Sequence, residues 1–193
     1  EIFGGSAAAQ RFPWMASLQD SSGKHVCGGV LVHQTQILTA AHCVRKNIRY
    51  IVLGQYDMEA PKSEGSKIIG VASFWIHNHF DPNTLLNDFA FLYLASPAFG
   101  VPVLDVDFTG SYSLKFSTRG YITLGWGETR RWGGGGYSRK LMKVNLQKMK
   151  SKECGEAMGR TIYDTQICAQ SLSAGLCMGD SGGPLLRMID KRY

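Results

Sequence analysis

A series of stretches along this chain is apolar, or alternates apolar with polar residues: 26–39, 49–53, 67–76, 89–94, 119–124, 141–147 and 184–188. Turn-forming residues separate them. Alternation sends successive side chains to opposite faces, so each such stretch offers one face to a core. Short strands at this spacing predict an all-β sandwich or barrel protein. One interval, 150–159, reads instead as a short helix.

Composition agrees and narrows the class. The chain has 193 residues, enough for one domain or two small ones. Its hydrophobic content of 44%, with 23 Gly and 8 Tyr, suits a β-rich globular protein, and 19% charged residues are too few for disorder. The net charge is +6. Its densest basic stretch runs from Arg130-Arg131 through Arg139-Lys140 to Lys143, Lys148, Lys150 and Lys152. Scattered charges of this kind read as a solvated loop and face, so no nucleic-acid partner is expected. No apolar run of membrane-spanning length, no repeat and no signal peptide is legible, and no membrane partner is expected.

The cysteines are Cys27, Cys43, Cys154, Cys168 and Cys177. They include no C-x-x-C pair, which argues against zinc or a thioredoxin-type site. An odd number leaves one over, as a free thiol or an intermolecular link. His77 and His79 lie two apart, but no further ligands cluster with them, so a solvent-exposed turn is the better reading than a metal site. No metal and no cofactor are expected.

The candidate chemistry lies in three strings. Gly179-Asp180-Ser181-Gly182-Gly183-Pro184 sets a serine in a glycine-rich loop. A serine hydroxyl is a weak nucleophile at neutral pH, and needs a base and donors aimed at the developing oxyanion. The backbone N–H groups of Gly179 and Ser181 are candidates for those donors. Thr39-Ala40-Ala41-His42-Cys43 offers His42 as the base, just after the end of a buried strand at Ile37-Leu38. Asn87-Asp88-Phe89 offers Asp88, followed at once by an apolar run to Leu94.

These strings, in the order His42, Asp88, Ser181, resemble the trypsin/chymotrypsin-like serine protease family. So does the start, Ile2-Phe3-Gly4-Gly5 and 12–19. The resemblance implies two antiparallel six-stranded β-barrels of the chymotrypsin type. Residues 1–100 would form the first, carrying His42 and Asp88, and 101–193 the second, carrying Ser181. A linker near 95–107, with Pro97, Gly100 and Pro102, would divide them. Family members continue beyond the position of Tyr193, so the second barrel is expected to lack its last strands.

In the implied mechanism His42 takes the proton of Ser181 and returns it to the leaving amine, while Asp88 orients the imidazole. A freed Ile2 amine would pair with Asp180 and order the oxyanion loop. Glu1 precedes Ile2, so the chain as written is zymogen-like. The resemblance pairs Cys27 with Cys43 and Cys154 with Cys168, which implies an oxidising compartment and secretion to the extracellular space or a granule. Cys177 would be left for a disulfide or a complementing partner. Gly175 falls at the base of the primary specificity pocket. An uncharged floor there suits apolar, chymotrypsin- or elastase-like specificity and not trypsin-like. Met178 would flank the pocket entrance and Leu85 would line the neighbouring subsite. The segment of Gln55, Asp57, Glu59 and Glu64 falls where some members bind calcium, but Gln55 replaces a carboxylate, and Lys62 and Lys67 oppose a cation.

The expectation is therefore a secreted serine endopeptidase acting on protein or peptide substrates, with protein protease inhibitors as further partners. The alternative is a catalytically impaired, truncated homologue acting as a binding or decoy protein.

Overall fold

Apolar alternation in the first half of the chain closes into a barrel. A computed structural model describes residues 4–60, 65–106, 120–128, 136–172 and 174–187. After a two-residue strand β1 (Ser6–Ala7) come β2 (Met15–Gln19), β3 (His25–His33), β4 (Gln36–Thr39), the single helical turn α1 (Ala41–Val44), β5 (Tyr50–Leu53), β6 (Lys67–Ile76) and β7 (Ala90–Leu94). The strands from β2 to β7 pair antiparallel in the closed order β2-β3-β4-β7-β6-β5. Met15, Leu18, Leu31, Ile37, Ile51, Leu53 and Leu92 are wholly buried inside this core. Burying each side chain of this size contributes about 1.5–3 kcal/mol.

The second half forms an antiparallel sheet. Strands β8 (Tyr121–Gly125), β9 (Met142–Met149) and β11 (Leu185–Leu186) join β1 in the order β1-β9-β8-β11, and β10 (Cys168–Gln170) pairs with the far end of β9. On β9, Met142, Val144 and Leu146 are buried while Asn145 and Gln147 are exposed. With Tyr121 they make a small separate cluster. The helix expected at 150–159 is α2 (Ser151–Met158), which stops at Gly159 in the left-handed conformation (φ 62°). Cys154 on α2 is bonded to Cys168 on β10, and Cys27 on β3 to Cys43 on α1. Cys177 is in neither bridge.

The all-β class and the first six-stranded barrel are as expected. The second unit stands, over the described residues, as a five-stranded sheet. Strands β2 and β10 lie outside the stretches legible in the sequence. All five residues of β2 are buried, so it has no alternation to read.

Barrel and sheet share a seam. Leu124, Trp126, Leu141 and Leu186 belong to the same buried cluster as the barrel core. Backbone bonds cross from Leu141 N to Tyr56 O (2.7 Å), Met58 N to Arg139 O (2.7 Å) and Gly28 N to Ser181 O (2.8 Å). No described helix is long and apolar enough to cross a membrane.

Candidate active site

The register of the barrel brings His42 to Asp88. Thr39 at the end of β4 pairs with Ala90 at the start of β7. His42 lies just beyond Thr39 and Asp88 just ahead of Ala90, so both emerge at the same rim. The small Ala40 and Ala41 let the chain turn tightly, and the Cys27–Cys43 bridge ties α1 to β3. Asp88 accepts two bonds from His42: the backbone N–H to Oδ1 (2.9 Å) and the ring Nδ1 to Oδ2 (2.7 Å). Burial pushes the Asp88 carboxyl up, but the bonds from His42 outweigh it and hold the pKa below its ordinary value. An ionised carboxylate only accepts, so Nδ1 carries the ring proton and Nε2 is left bare.

The Ser181 loop is held plane by plane. Met178 O accepts from Glu128 N (2.8 Å), Asp180 O from Gly183 N (3.1 Å) and Ser181 O from Gly28 N (2.8 Å). In a trans peptide the N–H points away from the preceding carbonyl. Anchoring Met178 O and Asp180 O therefore turns the N–H groups of Gly179 and Ser181 the opposite way. Neither donates to another described group, whereas the Asp180 N–H between them bonds to Cys177 O (3.1 Å). Two orphan donors on one side of a loop make a concavity for negative charge. Gly179 has φ +94°, and a side chain there would strike the ring of Tyr137.

Asp180 points inward. Its Oδ1 accepts from Gly127 N (2.8 Å) and its Oδ2 from Cys177 N (2.9 Å). Burial pushes its pKa up, against the pull of these bonds. Gly125 and Gly127 flank the carboxylate so closely that a Cβ on either would collide with it. The Gly-Trp-Gly turn is thus the socket for Asp180. No ion pair among the described residues includes Asp180. Ile2, expected as its partner, lies outside the described residues.

One disulfide sulfur joins the two halves of the site. Cys43 Sγ lies 3.7 Å from His42 Nε2 and 3.7 Å from Ser181 O. The Ser181 hydroxyl itself makes no hydrogen bond to His42 among the described residues. Cys27, His42 and Cys43 group closely enough to suggest metal ligands. The two sulfurs are bonded to each other, so neither is a thiolate.

A second histidine escapes sequence reasoning. Gln19 Nε2 donates to Ser17 Oγ (3.1 Å), Ser17 Oγ is 2.8 Å from His25 Nδ1, and His25 Nε2 is 2.9 Å from Gly179 O. A carbonyl only accepts, so His25 Nε2 carries the proton and Nδ1 accepts from Ser17. Burial drives the His25 pKa down to about 4, while the Gly179 bond pulls it up and the Lys46 charge lowers it further. The available signal is polarity in the wrong place: Ser17, Gln19 and His25 are buried among apolar residues.

The remaining candidates are scattered. Apart from its chain neighbours, no described residue lies within 4 Å of the point where a Gly175 side chain would begin. Met178 is 68% exposed, and Leu85 is 43% exposed with φ +56°. In the segment weighed for calcium, both described carboxylates meet Arg139: Asp57 at 2.9 Å and Glu59 at 2.8 Å. Lys67 Nζ donates to Phe99 O (2.6 Å). Lys62 and Glu64 lie outside the described residues, as do Arg130, Arg131 and Trp132. A concavity of about 500 Å³ lined by Met149, Met158, Ile162 and Ile167 lies beside Cys154–Cys168, away from the triad residues.

A family model for trypsin matches residues 2–190. Trypsin alpha of Drosophila melanogaster is 33% identical over 189 residues, spanning 96% of this chain and 72% of its own length. Trypsin beta of Drosophila erecta is 32% identical over 193 residues, spanning 96% and 73%. The solved structure of human heparin binding protein matches with a TM-score of 0.81 at 28% identity, covering 96% of this chain and 80% of that one.

Proposed function

The chain belongs to the trypsin family of serine proteases, and on that premise we propose that it hydrolyses peptide bonds through Ser181, His42 and Asp88. The observation that carries the reading is the doubly bonded His42–Asp88 pair, which leaves Nε2 bare beside the Ser181 loop. Ser181 Oγ attacks the substrate carbonyl and gives its proton to His42 Nε2. The oxyanion gathers at the N–H groups of Gly179 and Ser181. Asp88 stabilises the imidazolium, which then protonates the leaving amine. Water repeats the sequence on the acyl-enzyme and releases Ser181. Rotation of the serine side chain about its Cα–Cβ bond closes the contact with His42 when substrate binds.

Finer assignments follow from the same loop. Gly175 itself carries no charge, which favours apolar primary specificity, with Met178 and Leu85 offering exposed apolar surface at the flanks. Two disulfides favour an oxidising compartment, hence secretion. The Asp180 carboxylate is buried with N–H partners but no counter-charge among the described residues; an Ile2 ammonium, freed from Glu1, would supply one and lock the loop.

The test is labelling by a fluorophosphonate probe, which needs an activated serine, together with peptide turnover. Ser181→Ala is expected to remove labelling and to lower kcat about a millionfold. Undiminished turnover in that variant overturns the mechanism. Labelling that rises when Glu1 is removed supports the activation step.

A binding role without hydrolysis is the second reading. The open Ser181–His42 contact favours it, and a heparin binding protein shares the fold. It requires that folded wild-type chain, with Ile2 freed, take no label at all.

A further inference from the structure

Resting on the catalytic reading above, we propose that the site selects substrates with acidic residues just after the scissile bond, through Lys46 and Lys24. His42 Nε2 must reach the leaving amine to protonate it, so the departing half of the substrate lies on the Nε2 side of the imidazole. That side is occupied by Cys43 Sγ, 3.7 Å away. Cys43 is bonded to Cys27, and Lys46 Nζ stands 3.7 Å from Cys27 Sγ. An ammonium therefore lies along the same disulfide that floors the leaving-group side.

A second ammonium approaches from the oxyanion loop. Tyr137 packs against Gly179 and meets His25 edge-on, with centroids 5.6 Å apart. Lys24 Nζ stands 5.7 Å from the centre of the Tyr137 ring. His25, next to Lys24 in the chain and within reach of the Lys46 charge, is bonded to Gly179 O. Lys24 and Lys46 are exposed, as is Arg45 beside them, and none of the three enters an ion pair among the described residues.

Three carboxylates face this region, the third being Glu128, which forms a β-bridge with Tyr137. Asp20 is engaged by the backbone N–H groups of Ser22 and Lys24 and by the Ser22 hydroxyl. Asp88 lies behind the imidazole, on its Nδ1 side. Asp20 feels the Lys24 charge, but none of the three forms an ion pair with Lys24 or Lys46 among the described residues. A carboxylate on the departing chain would find positive charge there, within a Debye length of about 8 Å at physiological salt.

The experiment uses two peptide pools, randomised before the scissile bond so that primary specificity does not decide. One carries Asp-Asp after the bond and the other the isosteric Asn-Asn. The wild type, with Ile2 freed, is expected to cleave the Asp-Asp pool with kcat/KM about three- to tenfold higher, the range of one or two exposed charge pairs. The ratio should fall towards one in K24A/K46A, invert in K46E, and shrink in 1 M salt. A wild-type ratio of one or below, or a ratio unmoved in K24A/K46A, overturns this inference and leaves the catalytic reading standing. Cleavage of neither pool overturns both.

Discussion

The barrel and the sheet carry their halves of the site in different ways. In the barrel every strand from β2 to β7 has two partners, and its core side chains are wholly buried. His42 and Asp88 emerge beyond the ends of the paired strands β4 and β7, brought together by that register and by the Cys27–Cys43 bridge. The sheet's own cluster has four buried members. Leu172, Leu176 and Met178, between β10 and the Ser181 loop, are exposed. Yet Ser181 and Gly179 are held, because Gly28 and His25 of β3 reach across to their carbonyls. One half of the site is built on its own barrel, and the other borrows order from it.

The largest expected effect probes that contrast with matched chemistry. Leu31 is wholly buried in the barrel, while Leu146 lies in the small cluster of the sheet. Leu31→Ala leaves a cavity walled on all sides and should cost about 4–5 kcal/mol in urea unfolding. Leu146→Ala has neighbours with room to relax and should cost about 2–3 kcal/mol. Equal costs would remove the asymmetry on which the comparison rests.

Removing the two disulfides separates stability from chemistry. They bridge sequence separations of 16 and 14, so loop-closure entropy assigns each about 3 kcal/mol. The C27A/C43A pair removes the sulfur that touches both His42 Nε2 and Ser181 O. It should lower kcat/KM under conditions where the protein remains folded. The C154A/C168A pair unpins α2 from β10 and should leave kcat/KM of the folded fraction unchanged. A larger activity loss in the second pair would mean that the sheet, and not the barrel, orders the Ser181 loop.

What was legible in the sequence follows from how local each feature is. Strand β7 shows itself as a continuous apolar run up to Leu94 directly after Asp88. His42, Asp88 and Ser181 each sit in a contiguous string whose residue types are set by local geometry, as Gly179 is by its positive φ. Strand β10 is three residues long with no buried face, and nothing in its composition marks it. Arg139 meets Asp57 across a separation of 82, and His25 meets Gly179 across 154. Contacts at such range depend on the assembled seam, which no local pattern encodes.

The His25 contact gives the finest test, because the buried ring that ties the two halves together resists protonation. The folded pKa of about 4 lies below the ordinary histidine value of 6.5. A depressed histidine contributes stability that is fully present above pH 6.5 and is lost as the pH falls towards 4, since the unfolded chain takes up the proton first. By pH 5 the loss attributable to this group is about 2 kcal/mol. In the folded state the added proton must go on Nδ1, which then donates to the Ser17 hydroxyl where it had accepted from it, while Nε2 keeps its bond to Gly179 O. What acid costs here is therefore the charge placed on a buried ring. His25→Gln can still accept from Ser17 and donate to Gly179 O, but it does not titrate. Its urea midpoint should therefore fall less than that of the wild type between pH 7 and pH 5. Identical pH profiles would show that His25 is not the group through which acid destabilises the fold.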